Sequence, residues 1–202
     1  MKYAIIAAGE GSRLAQEGIS LPKPLVKING ETMIDRLIRI FQSNKAEEII
    51  IIVNALNLIT EQHVRKLMET KNGRNIRLVV KSTPSSMHSF HALSRFLTGD
   101  RFCLTTVDTI FQEDEFTQYI RTFEQTSTLD GLMAVTSFVD DEKPLYVKTD
   151  DDGRIHAFLD TTDGVCRYVS GGIYCLKKTA LPVLEQAMTQ GISRMRNYQR
   201  LL

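Results

Sequence analysis

The sequence predicts an α/β domain, a mostly parallel sheet flanked by helices on both faces. Three observations predict it. Short β-branched runs alternate with helical periodicity, strand then helix, four times in series. One run, Glu48 to Asn54 (EIIIIVN), is apolar at consecutive rather than alternate positions, as in a strand covered on both faces. Helices that follow strands in this way make right-handed crossovers and leave the strands parallel.

Taken in order, the first strand, Tyr3 to Ala8, runs into a loop that begins Gly9-Glu10-Gly11-Ser12-Arg13, with Lys23-Pro24 beyond it. Ile34, Leu37, Ile38 and Phe41 then recur at helical spacing. After the Glu48–Asn54 strand, Val64, Leu67 and Met68 mark a second helix, with Thr60 as its expected N-cap. A turn at Lys71-Asn72-Gly73-Arg74 leads to a strand over Ile76 to Val80. Ser85 or Ser86 is expected to cap a helix carrying Met87, Phe90, Leu93 and Leu97. The fourth strand, Phe102 to Val107, ends at Asp108. Phe116, Tyr119, Ile120 and Phe123 mark another helix and Leu132 to Val139 another strand.

Beyond Val139 the pattern changes. Tyr146 to Thr149 and Ile155 to Leu159 flank Asp150-Asp151-Asp152-Gly153, the pattern of a hairpin. The strand Tyr168 to Leu176 carries Gly171-Gly172, where a backbone could approach closely. Helices from Thr179 to about Gln190 and from about Ser193 close the chain, and the basic tail Arg194 to Arg200 reads as a solvated helix face.

Composition bounds the function. A chain of 202 residues with 43% apolar and 24% charged residues suits one globular domain, 1–202. Lysine plus arginine, 25, nearly balance aspartate plus glutamate, 24, so no global field recruits nucleic acid or membrane. The run Ile49 to Val53 is too short to span a bilayer, and no cleavable signal is expected at the N-terminus. Cys103, Cys166 and Cys175 lack metal-ligand spacing and are expected as reduced thiols, in a cytoplasmic protein. The Asp150–Asp152 run lacks the ligand ladder of a calcium loop, and His63, His88, His91 and His156 form no zinc pattern.

In a parallel sheet ligands sit beyond the carboxyl ends of the strands. The Gly9–Arg13 loop and Asp108 both lie there, able to face one crevice. Glycines let the backbone aim N–H groups at an anion, and Arg13 and Lys23 add charge for phosphate oxygens. A dinucleotide fingerprint would want a small residue at Leu14 and an acid where Asn54 stands, and a P-loop would want Lys-Ser/Thr after its last glycine. Neither fits. A strand–loop turn that uses glycine only for its freedom remains an alternative on these residues alone.

AAGEGSRL followed by PKPLVKING resembles the signature of the nucleotide-sugar pyrophosphorylases, nucleotidyltransferases that join a nucleoside triphosphate to a sugar 1-phosphate. DGRI and YVSGGIYCL resemble later parts of the same pattern. The resemblance implies a GT-A-like, Rossmann-like nucleotidyltransferase fold with a late β-hairpin appendage, open to homo-oligomerisation. It implies Arg13 on the departing phosphates, Lys23 near the α-phosphate, and Mg²⁺ held by Asp108. It further implies nucleotide contacts from Ala7, Ala8, Gly9, Glu10, Gly11, Ser12 and Ser86, and substrate contacts from Asp160, Ser170 and Gly171.

The chain also departs from the family pattern. Ser85-Ser86-Met87-His88 stands where a glycine-rich base loop is usual, so Met87 and His88 either reshape the base pocket or pack into the helix. Leu159-Asp160-Thr161-Thr162 replaces a Glu-Lys-Pro. A second metal aspartate, usual near the C-terminus, has no counterpart before Leu202. Either the domain continues in a longer parent, or the metal site is built differently, or turnover is impaired. Asp140, Asp141 and Asp163 have no spacing that marks them as its substitute. Phosphocholine cytidylyltransferases are relatives of this family and offer a second acceptor, a small phosphorylated alcohol. A nucleotide- or sugar-binding regulatory module is the alternative of another class.

Overall fold

In the computed structural model the described residues are 1–9, 21–139, 143–162 and 164–202. They form ten strands and six α-helices, in the order β1 (Lys2–Ala7), β2 (Lys27–Ile28), β3 (Glu31–Thr32), α1 (Met33–Ser43), β4 (Ile49–Val53), α2 (Leu58–Met68), β5 (Ile76–Val80), α3 (Ser86–Ser94), β6 (Arg101–Thr106), α4 (Glu113–Gln125), β7 (Gly131–Thr136), β8 (Tyr146–Thr149), β9 (Ile155–Leu159), β10 (Tyr168–Lys177), α5 (Ala180–Thr189) and α6 (Met195–Gln199).

The main sheet runs β5-β4-β1-β6-β10-β8-β9, with β7 paired to β10. The first four of these are parallel. β10 enters antiparallel beside β6, and β7 and β8 pair with β10 antiparallel. The expected α/β fold with a mostly parallel sheet therefore stands. Its late segments add the antiparallel half, and the β8–β9 hairpin sits at the edge.

Strand period decides which core each side chain joins. Tyr3, Ile5 and Ala7 of β1 point to one face, where α1, α2 and α4 supply Leu37, Phe41, Val64, Phe116 and Phe123. Ala4, Ile6 and Ala8 point to the other, against Phe90, Leu93, Leu184 and Tyr198 of α3, α5 and α6. With helices on both faces, every residue of β4 is buried, which explains its unbroken apolar run. Cys103 and Cys175 are opposite one another on β6 and β10, buried as free thiols.

Two local expectations change and one open choice is decided. The N-cap of α2 is Asn57, whose Oδ1 accepts the Thr60 N–H at 3.2 Å, and Thr60 lies inside the helix. Leu58 and Ile59 face solvent in the first turn, so the apolar periodicity starts one turn late and hides the true beginning. Ser85 rather than Ser86 caps α3. The C-terminal segment is no solvated face, because Tyr198 and Gln199 are buried and the Tyr198 hydroxyl donates to Ala180 O at 2.9 Å. Arginines flanking those two residues masked a short helix docked by its aromatic.

Candidate active site

The site begins where β1 and β6, hydrogen-bonded neighbours, both end. Ala7 ends β1, and Ala8 and Gly9 follow; Val107 and Asp108 follow β6, with the Val107 N–H donating to Ile6 O at 3.0 Å. Asn54, just past β4, braces this corner. Its Nδ2 donates to Ala8 O at 3.2 Å, while its Oδ1 accepts from Leu56 N at 3.0 Å and Ser82 Oγ at 2.7 Å. The side chain is 7% exposed, so it is a strut between three loops rather than a surface contact. Its place at a strand's carboxyl end was the one sequence signal that could have found it.

Lys23 reaches the same corner from a rigid support. It opens a 3₁₀ turn, Lys23–Leu25, between Pro22 and the buried Pro24 and Leu25. The β2–β3 hairpin then closes through Asn29 and Gly30, both at positive φ (51° and 88°). That geometry selects Asn-Gly and lets the twisted strands turn back tightly. The Met33 N–H donates to Val26 O at 2.9 Å, fastening this unit to α1. The Lys23 ammonium pairs with Asp108 Oδ2 across 85 residues of sequence.

Asp108 is set by its own loop. Thr109 Oγ1 donates to Thr106 O at 2.9 Å and shares a hydrogen bond with Thr105 Oγ1 at 2.7 Å. The Arg36 guanidinium lies over the Phe111 ring at 4.8 Å and donates to the Phe111 carbonyl. Burial pushes the Asp108 carboxyl up, but hydrogen bonds to Lys23 and Thr106 and the Lys23 charge outweigh it and hold the group below the usual carboxylate range. An ionised, half-exposed carboxylate thus faces the crevice with a cation beside it. Such a pair suits a polyphosphate with a divalent ion, since each member can exchange its partner for an oppositely charged part of the ligand.

From Asp108 the crevice continues along β10. Gly172 lies at φ 78°, and a Cβ there would stand 3.1 Å from Thr109 Cγ2 and 3.3 Å from Thr106 Oγ1, so only glycine lets β10 close on the Asp108 loop. Tyr174 is next. Burial raises its phenol, with the Asp108 charge adding to the effect, and its hydroxyl lies 3.4 Å from Ser170 Oγ. A pocket of about 490 Å³ opens here, lined by Ser86, Ser170, Gly172, Tyr174, Arg194 and Arg196 among others. A larger cavity of about 680 Å³, among Leu132, Phe158, Leu176 and Val183, contains none of the predicted site residues, so volume alone does not mark the site.

The structure thus brings Ala8, Gly9, Lys23 and Asp108 to one corner and Ser86 and Ser170 to the adjoining pocket. Gly171 lies against β7, where a Cβ would meet Ala134 O at 3.0 Å, and Gly172 takes the pocket wall instead. Both Asp160 oxygens are held by arginines, Arg196 and Arg200, each at 2.7 Å. Met87 is fully buried in the core, which assigns it to packing, and half-buried His88 shares a hydrogen bond with Ser85 Oγ through Nδ1 at 2.8 Å. Glu10, Gly11, Ser12 and Arg13 lie outside the described residues, as do Asp140, Asp141 and Asp163. Among the described residues no group of three or more His, Cys, Asp or Glu could hold a metal ion, and no helix is long and apolar enough to cross a membrane. Tyr174 and Arg194 carried no sequence signal, because only the fold brings β10 and the C-terminal helix to this crevice.

Comparison with known proteins bears on the family and the fold. The family described as a MobA-like NTP transferase domain matches residues 3–199. The catalytic subunit beta of mannose-1-phosphate guanylyltransferase from Danio rerio is 26% identical over 188 residues, 90% of this chain and 51% of that protein. The bifunctional IPC transferase and DIPP synthase of Thermococcus kodakarensis is 26% identical over 124 residues, 59% of this chain and 26% of that protein. The chain therefore spans about half or less of these curated relatives. Among solved structures, a Bacillus anthracis protein assigned as a glucose-1-phosphate thymidylyltransferase superposes with a TM-score of 0.82 at 18% identity, covering 98% of this chain and 80% of that one. The inositol-1-phosphate CTP transferase of T. maritima gives 0.76 at 16%, covering 98% and 79%. At these identities the two structures establish the fold.

Proposed function

We propose, from the premise that the chain belongs to the family of MobA-like NTP transferase domains, that it transfers a nucleotidyl group from a nucleoside triphosphate to a sugar 1-phosphate, with Mg²⁺, and releases pyrophosphate. The observation that carries this reading is the meeting of Ala8, Gly9, Lys23 and Asp108 at the carboxyl ends of adjacent parallel strands.

The triphosphate lies against Ala7, Ala8 and Gly9, and the family resemblance assigns it Glu10, Gly11 and Ser12 as further contacts with Arg13 toward the leaving phosphates. Lys23 exchanges Asp108 for the α-phosphate as that group gains charge. An oxygen of the acceptor phosphate attacks the α-phosphorus from the Ser170–Gly172 side. The new P–O bond forms as the α–β bridging bond breaks, and pyrophosphate leaves with the electron pair. No covalent protein intermediate is needed, so the protein contributes alignment and charge. Asp108 suits Mg²⁺, which commonly takes one or two carboxylates and completes its shell with water and phosphate oxygens. When bound, the ion neutralises phosphate charge.

Thr161 and Thr162 stand where the resembled family has a lysine, which favours a second acceptor class, a phosphorylated alcohol such as phosphocholine with CTP. Pyrophosphate release, measured for each common triphosphate against sugar 1-phosphates and phosphocholine, tests both. Turnover with one pair, lost on Asp108→Asn together with its Mg²⁺ dependence, is the expected result. Nucleotide binding without any turnover would sink the enzyme reading and leave a binding module.

A further inference from the structure

Asp160 closes the β8–β9 hairpin against the C-terminal helix. Arg196 Nη1 donates to its Oδ1 at 2.7 Å and Arg200 Nη2 lies 2.7 Å from its Oδ2. The same guanidinium groups reach backbone on either side. Arg196 Nη2 donates to Lys143 O at 2.8 Å and Arg200 Nε to Phe158 O at 3.0 Å. One carboxylate and two arginines therefore join the approach to β8, the end of β9 and helix α6.

That helix is five residues long and has no stability of its own. Tyr198 anchors it on the inner side, its ring edge-on to Phe90 at 5.7 Å between centroids. The clasp on Asp160 fixes the other side. Asp160 does not line the 490 Å³ pocket, whereas Arg194, Met195, Arg196 and Gln199 of the clasped segment do. Each oxygen already accepts from an arginine, and Arg196 ties the carboxylate to the pocket wall. Planar guanidinium groups suit this arrangement because their donors point along fixed directions.

We infer that Asp160 is a positioning residue for the acceptor pocket: through Arg196 and Arg200 it holds α6 as the pocket's wall, and it acts on a phosphorylated acceptor only through that wall. This rests on the acceptor site proposed above.

The test uses the full chain with Asp160→Asn, Asp160→Glu and Arg196→Lys. Two readouts are needed: amide hydrogen exchange over residues 194–200 without ligand, and KM for acceptor and triphosphate separately, from pyrophosphate release. Asp160→Asn is expected to speed exchange in α6 and raise the acceptor KM about tenfold, a modest misplacement by the standard of mis-set catalytic geometry. The triphosphate KM should stay within about twofold, since Arg196 and Arg200 bond Asp160, Lys143 O and Phe158 O rather than Lys23 or Asp108. Asp160→Glu should recover most of both effects and Arg196→Lys should reproduce them. A raised acceptor KM with unchanged exchange would mean direct contact with the acceptor and would overturn the inference. Faster exchange with an unchanged acceptor KM would overturn it too, leaving a purely structural clasp. If the parent chain turns over no acceptor, the acceptor reading fails by itself, and unchanged exchange in Asp160→Asn still overturns the clasp.

Discussion

Replacing Asn54 by aspartate changes one donor into an acceptor at nearly constant volume and isolates the brace on Ala8. The Leu56 and Ser82 bonds to Oδ1 survive, because a carboxylate accepts both. The bond from Nδ2 to Ala8 O, 3.2 Å long, does not, and a carboxylate oxygen then faces a carbonyl oxygen in a site 7% exposed. Losing a neutral hydrogen bond costs about 1 kcal/mol, and leaving a buried acceptor unsatisfied about 1–3 more, so about 2–4 kcal/mol is expected at pH 8. For a chain of this size that lowers Tm by about 4–16 °C. The pH dependence carries a sign. Burial and the facing carbonyl raise the new carboxyl's folded pKa above its unfolded value of about 3.9, so stability is retained below that value and lost as pH rises through the folded pKa. Once protonated, the new carboxyl can also donate to Ala8 O. Scanning calorimetry at pH 4.5 and 8 should therefore show a deficit, relative to the parent, that grows with pH. The triphosphate KM should rise with it, since Ala8 and Gly9 belong to the proposed nucleotide site. A Tm within about 1 °C of the parent at pH 8, or a deficit that grows on acidification, would refute the strut.

Other outcomes follow from the same geometry. Lys23→Ala and Arg13→Ala should each lower kcat/KM by about a hundredfold or more, with Tm changed little, since charges that neutralise a transition state contribute a few kcal/mol to catalysis. A large loss of Tm in either would instead assign that residue a structural role. Gly172→Ala should lower Tm and metal-dependent turnover together, because a side chain at φ 78° costs about 1–2 kcal/mol and presses on Thr106 and Thr109 beside Asp108. Unchanged turnover would separate β10 from the Asp108 loop. Glu48 is opposed by burial, yet its hydrogen bonds to Lys2 and Arg77 hold its carboxyl below the usual range. Its contribution is therefore complete above the unfolded glutamate pKa, about 4.3, and is lost as pH falls through the lower folded value. Glu48→Gln should flatten the acid limb of urea midpoints measured from pH 7 to 3, and a limb of parental steepness would remove that pair from the balance.

Much of this protein was legible in its sequence because local chemistry decided it. The β4 run reports burial on both faces, and the alternation Tyr3-Ala4-Ile5-Ile6 needs only the strand period to sort side chains between two cores. Asn29-Gly30 specifies its hairpin through the positive φ that both residues tolerate. Gly9 and Asp108 could be named because each follows the carboxyl end of a strand, where an α/β sheet places its ligands, and Lys23 because PKPLVKING resembles a family signature.

Tertiary structure decided what depends on pairing across distance. Nothing local tells β10 to enter antiparallel between β6 and β7, or a five-residue helix to wall a pocket. Nor could sequence assign Asp160 to two arginines that themselves read as a solvated tail, or Met87 to a core whose other members lie on different strands. Those choices are made by long-range burial, and a side chain's chemistry does not reveal which distant surface will cover it. By itself the sequence determined the sheet, its two cores and the corner where phosphate chemistry can occur. Only the assembled fold decided which carboxylate faces the crevice and which is clasped behind its wall.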